Sequence, residues 1–143
     1  MDESFTPRPV AGWYRIAAIG SLLFMLLGCA VYAMHLYTDP ATLPLDQRAM
    51  FEAEPSWVTT ALGIAAIVGA LGAIMLLLRR KMAIPLLLLS LLAILSWFAG
   101  LLLTPRLRDL LSTSDIAGSI IAVAISWTIF WFARHSRQRG WLR

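Results

Sequence analysis

The chain has 143 residues, 59% hydrophobic and only 14% charged, with a mean hydropathy of +0.76. Soluble domains carry about a quarter charged residues, so this composition excludes an ordinary water-soluble globule. Twelve Lys and Arg against eight Asp and Glu give a net charge of +4, an excess that sits in loops and tail and calls for no nucleic acid.

Apolar residues gather into four runs, each near the roughly 20 residues that cross about 30 Å of hydrocarbon as a helix. Lipid satisfies no backbone groups and no run alternates as a barrel strand would. The expected fold is therefore an all-α membrane protein, a four-helix transmembrane bundle in one domain over 1–143. The first span covers residues 16–36, after Pro7 and Pro9, and is entered through Trp13, Tyr14 and Arg15, a membrane-interface composition. A cleaved leader is the rival reading, because Leu26-Leu27-Gly28-Cys29 resembles a lipoprotein cleavage box. The bulky Leu27 and a long mixed-charge start with Asp2 and Glu3 favour an uncleaved span. Asp2 stands where N-myristoylation requires glycine.

The loop 38–56 follows, with Asp39-Pro40 as a turn signal and residues 44–54 compatible with a short helix that lays Leu45, Met50 and Phe51 on the membrane surface. His35, near Tyr32, Tyr37 and Asp39, reads as an interfacial anchor. Histidine as a residue type changes charge near neutrality, so a pH-sensitive or ligand site is the sharper alternative. Asp46, Glu52 and Glu54 read as solvated carboxylates or, alternatively, as a lure for a cation or basic partner.

The second span, 57–78, stops at the loop 79–81, Arg79-Arg80-Lys81, and the third, 82–103, resumes at once, so the two form an antiparallel hairpin. Pro85 falls in the first turns of the third helix, where a missing N–H costs little. Ala61, Ala65, Gly69 and Ala73 recur every fourth residue and so share one face, a stripe that lets another helix approach closely. The fourth span, 115–134, is the shortest; Ser112, Ser114 and Asp115 offer caps at its start, and Gly118, Ala122 and Ser126 form a second small-residue stripe. Packing within the chain is preferred over packing on a second copy. The span ends in Trp127, Phe130, Trp131 and Phe132, and the tail 135–143 carries arginines and Trp141-Leu142, together an interface anchor.

No Asp, Glu, Lys or Arg lies inside the four apolar cores, and proton relays and ion-coupled pumps need such a group at membrane depth. Ser21, Cys29, Ser90, Ser96, Ser126 and Thr128 are expected to bond helix carbonyls. The alternative is a neutral polar lining from Ser90, Ser96 and Trp97, with Trp97 stacking on a sugar ring. One cysteine, Cys29, and two distant histidines, His35 and His135, leave no multi-cysteine metal site, and no cofactor or enzyme activity is expected.

The loop 38–56 holds one basic residue, Arg48, against four acids, whereas the loop 79–81 is wholly basic and the tail adds Arg137, Arg139 and Arg143. Basic residues stay on the cytoplasmic side, which places both termini there and leaves Arg106 and Arg108 as the minority outside.

Trp13-Tyr14-Arg15-Ile16-Ala17, Leu27-Gly28-Cys29, Met34-His35, Asp39-Pro40-Ala41, Gln47-Arg48-Ala49, Leu78-Arg79-Arg80 and the ending Arg139-Gly140-Trp141-Leu142-Arg143 resemble a group of small bacterial four-span membrane proteins loosely labelled as sugar transporters. The resemblance covers most of the chain. It implies a fold and a bacterial inner membrane, and no functional residue. The reading is an accessory or structural membrane protein acting through helix packing, its partners the lipid bilayer and either another membrane protein or copies of itself. The alternatives are a neutral-solute transporter, which four helices would form as a homo-oligomer, and a membrane-enzyme subunit with haem ligands drawn from His35, Met25 or Met34.

Overall fold

Backbone groups in an apolar run have nowhere to bond but within their own helix. The computed structural model describes residues 9–143 and places helix over every run; Asp2, Glu3 and Pro7 lie outside the described residues. The elements are α1 (Gly12–Tyr37), a 3-10 turn (Pro40–Thr42), α2 (Leu45–Ala53), α3 (Ser56–Leu77), α4 (Ala83–Leu103), α5 (Pro105–Leu110) and α6 (Thr113–Gln138). Four of them, α1, α3, α4 and α6, are long and apolar enough to span a membrane. The protein is an all-α, multi-pass membrane protein.

Hairpin neighbours α3 and α4 pack most extensively, α1 also packs on α3, and α6 packs on α4, while α1 and α6 share little backbone packing. Ile16, Ile19, Leu23 and Leu27 of α1 are exposed. Water would penalise such a face, whereas lipid solvates it.

Small residues set the spacing of α3. Ala65, Gly69 and Ala73 are buried and Ala61 is half-buried. A Cβ on Gly69 would stand 2.6 Å from Met25 Sδ of α1 and 2.7 Å from Ser90 Oγ of α4, so both neighbours rest against this one backbone position. Gly63 against Tyr32, Gly72 against Leu87, and Gly100 against Trp57 and Val58 make the same kind of approach. These three lie outside the four-residue stripe because their partners depend on how the helices are rotated. Without a hydrophobic drive between helices in lipid, such approaches supply the dispersion contacts that hold a bundle together.

The second stripe packs only in part. Ser126 is buried and Ala122 half-buried, but Gly118 is exposed and a Cβ there would meet nothing within 4 Å. The fourth spanning helix runs beyond its apolar span 115–134: α6 has 26 residues. Its start is fixed by a capping box, in which Ser112 Oγ accepts from the Asp115 N–H at 3.2 Å and the Asp115 carboxylate accepts from the Ser112 N–H at 3.0 Å. Its basic last turn, with His135 and Arg137, suits the negative end of the helix dipole and extends it past the apolar core.

At the hairpin end both α3 and α6 stop in the same way. Arg79 (φ 59°) and Gly140 (φ 72°) take left-handed conformations, and the N–H groups of Arg80 and Trp141 reach back to the carbonyls of Met75 at 2.8 Å and Ser136 at 3.0 Å. That is a Schellman closure at each end. The two closures then join. The Arg143 N–H donates to the Arg79 carbonyl at 2.7 Å, the Lys81 N–H donates to the Arg143 carbonyl at 3.0 Å, and Arg79 Nε donates to the Trp141 carbonyl at 2.9 Å. Trp141 and Leu142 are buried, so the tail is part of the core and not the surface anchor its composition suggests. An aromatic beside arginines reads as interface from sequence because nothing local distinguishes a ring facing headgroups from one folded inward.

Candidate functional site

The end of the bundle opposite the hairpin is built by the short elements. Thr104 and Pro105 stop α4 and start α5, whose Leu107 is buried with Val58 and Leu101. No apolar run announces α5 in the sequence, since six residues with one buried side chain carry no period. The 3-10 turn starts at Asp39, whose carboxylate accepts from the Ala41 N–H at 2.9 Å, and α2 then comes back across the bundle to pack on α5.

This return brings His35 and Glu54 together: His35 Nε2 lies 3.5 Å from a Glu54 carboxylate oxygen, and the imidazole stacks on Phe51 with ring centroids 4.3 Å apart. The other Glu54 oxygen accepts from Thr59 at 3.1 Å. The remaining acidic candidates stay apart. Asp39 caps its turn, Asp46 is exposed in the first turn of α2, and Glu52 accepts from Arg48 Nε at 2.8 Å. Hydrogen bonding to Glu52 raises the Arg48 pKa above its ordinary value.

His35, Gln47, Glu54, Asp115 and Ser119 line a vestibule of about 600 Å³ at this end. Among the described residues, none of the side chains lining it is Lys or Arg. Beneath it, between α1 and α6, lies an apolar chamber of about 230 Å³. Val31, Leu62, Trp97 and Ala122 border both spaces, so the vestibule leads into the chamber. Phe24, Met25 and Ile94 form much of the chamber wall, and Ser90 and Ser126 are its hydroxyls. Both hydroxyls already donate, Ser90 to the Ala65 carbonyl at 2.6 Å and Ser126 to the Ala122 carbonyl at 2.9 Å.

Ser96 is absent from both linings. Seven residues separate Ser90 from Trp97, nearly two helical turns, and put them on one face; six residues separate Ser90 from Ser96 and turn it well away. Ser96 is exposed and donates to its own helix at the Leu92 carbonyl, 2.9 Å.

The hairpin end is closed. Tyr14 is buried and its hydroxyl donates to the Leu76 carbonyl at 2.5 Å. Its ring stands 5.4 Å from Phe132 and 5.8 Å, edge-on, from Trp141, and Trp13 covers the same two rings at 5.6 Å each. A Trp-Tyr-Arg start to an apolar run has the composition of a membrane interface, and nothing local in the sequence marks Tyr14 for the core.

No family model, curated protein or solved structure matches the chain.

Chemically the site is a cleft along the seam of α1 and α6, with carboxylates and an imidazole at its mouth and hydrocarbon within. Among the described residues no three His, Cys, Asp or Glu side chains come together as a metal-binding group. Cys29 lies on α1, where its thiol donates to the Ala66 carbonyl of α3 at 3.3 Å.

Proposed function

We infer that this protein is an accessory component of a bacterial inner membrane, acting through helix packing, with both termini cytoplasmic and the vestibule facing the other side. The observation that carries the accessory reading is the closed hairpin end, where Tyr14, Phe132 and Trp141 fill the place a solute would have to leave by. Two further features support it. The chamber's hydroxyls already donate within the bundle, so a sugar would find few free partners and would leave its own polar groups unpaired. Its volume of about 230 Å³ also falls below the 300–1,000 Å³ or so of most small-molecule pockets. The Lys and Arg balance of the loops and the resemblance to bacterial four-span proteins support the orientation and the membrane.

The second reading, a neutral-solute transporter assembled as a homo-oligomer, draws on the vestibule and chamber reaching Trp97 and Ser90 at mid-bundle. Exchange of labelled glucose and sucrose across proteoliposomes separates the two. The accessory role predicts exchange no faster than in protein-free vesicles; saturable, protein-dependent exchange would overturn it.

A further inference from the structure

We propose that the vestibule and chamber together bind one amphiphile, its apolar chain in the chamber and a cationic head against Glu54 and Asp115. The inner space has the character of hydrocarbon, since nearly all its wall is apolar and its two hydroxyls are spent. Lipid chains or similar tails enter such a space without leaving polar groups unpaired.

The mouth selects the head. Among the described residues it holds two carboxylates, Glu54 and the exposed Asp115, which also accepts from Ser112, and no Lys or Arg. Glu54 is half-buried, its side chain 12% exposed, and among the described residues it receives the Thr59 hydroxyl and a long, 3.5 Å approach from His35. A carboxylate has about four acceptor sites, so Glu54 retains capacity for a positively charged donor. An anionic head would meet this field with the wrong sign.

The glycines separate space meant for packing from space left open. Gly63, Gly69, Gly72 and Gly100 each face a side chain of a neighbouring helix at contact distance. Gly28 borders the chamber and Gly118 the vestibule, and a Cβ on either meets nothing within 4 Å. The first carbon added at Gly28 meets no neighbour, so a larger side chain at this edge of the chamber competes with the chain for the same space.

The test is native mass spectrometry of the full-length protein with tetradecyltrimethylammonium, and with tetradecanoate as a probe of matching chain length and opposite charge. The expected result is one retained ammonium per chain and little retained tetradecanoate. Gly28→Leu reduces that retention by about tenfold or more, and Glu54→Gln by about fivefold, as loss of the chain site or of a charge-assisted contact implies. Both variants should melt no lower than the parent. Equal retention of the two probes, or full retention by both variants, overturns the proposal. Competition then identifies the source of the amphiphile. Displacement by phosphatidylethanolamine but not by phosphatidylglycerol assigns the site to an amine-headed membrane lipid, displacement by neither assigns it to a free cationic amphiphile, and displacement by phosphatidylglycerol contradicts the role given to the carboxylates.

Discussion

Gly69→Leu should cost the folded protein about 2 kcal/mol net, whereas the same substitution at Gly28 should cost nothing. At Gly69 the first added carbon already stands 2.6 Å from Met25 Sδ and 2.7 Å from Ser90 Oγ. Met25 is flexible and yields, but Ser90 is held by its hydrogen bond to the Ala65 carbonyl and cannot move without leaving that bond. Leucine adds three more carbons, so α1 and α4 must both shift away from α3. Overpacking of a filled core costs about 1–3 kcal/mol, and a junction of three helices lies at the upper end. Leucine is a better helix former than glycine by roughly 0.8 kcal/mol, which offsets part of the loss. At Gly28 the same propensity gain meets open space. Unfolding by graded SDS from mild detergent, followed by circular dichroism, measures both. Identical curves for the two variants would remove the assigned role of Gly69 as the point where three helices meet.

Trp141→Ala is expected to be more costly, about 3 kcal/mol or more in the same assay. Trp141 is buried, and its ring meets Tyr14, Trp13 and His135. Truncating a core tryptophan loses about 3–5 kcal/mol, because the surroundings collapse only in part. The backbone around it also depends on the ring's position, since Arg79 Nε and the Arg143 N–H tie this segment to the end of α3. A tryptophan that merely touched headgroups would change stability by about 0.5 kcal/mol or less, as surface substitutions do. Tyr14→Phe gives a smaller companion effect, about 1 kcal/mol, by removing the donor to the Leu76 carbonyl.

The four spans were legible because lipid leaves the backbone one choice, and an apolar run of sufficient length declares it. The Ser112 cap and the Gly69 stripe were legible for the same local reason: a cap is a spacing of three residues, and a stripe a spacing of four. What escaped depends on distant partners. Nothing near Gly63 in sequence points to Tyr32, and nothing near Trp141 points to Tyr14. His35 and Glu54 are 19 residues apart and meet only because α2 turns back over the bundle end. Ser96 went to the wrong face because closeness in sequence stood in for helical angle. The chamber itself is a consequence of α1 and α6 failing to close on one another, which no single helix encodes.

Which end of the bundle faces the cytoplasm decides whether the vestibule is an outward mouth and the Trp141 plug an inner seal. Labelling with a membrane-impermeant maleimide settles it in a Cys29→Ser background carrying either Asp46→Cys or Gln138→Cys, both at exposed positions. The prediction is that residue 46 is labelled on intact spheroplasts and residue 138 only after they are permeabilised. Labelling of 138 from outside, with 46 protected, would invert the bundle and contradict the orientation on which the proposed function rests.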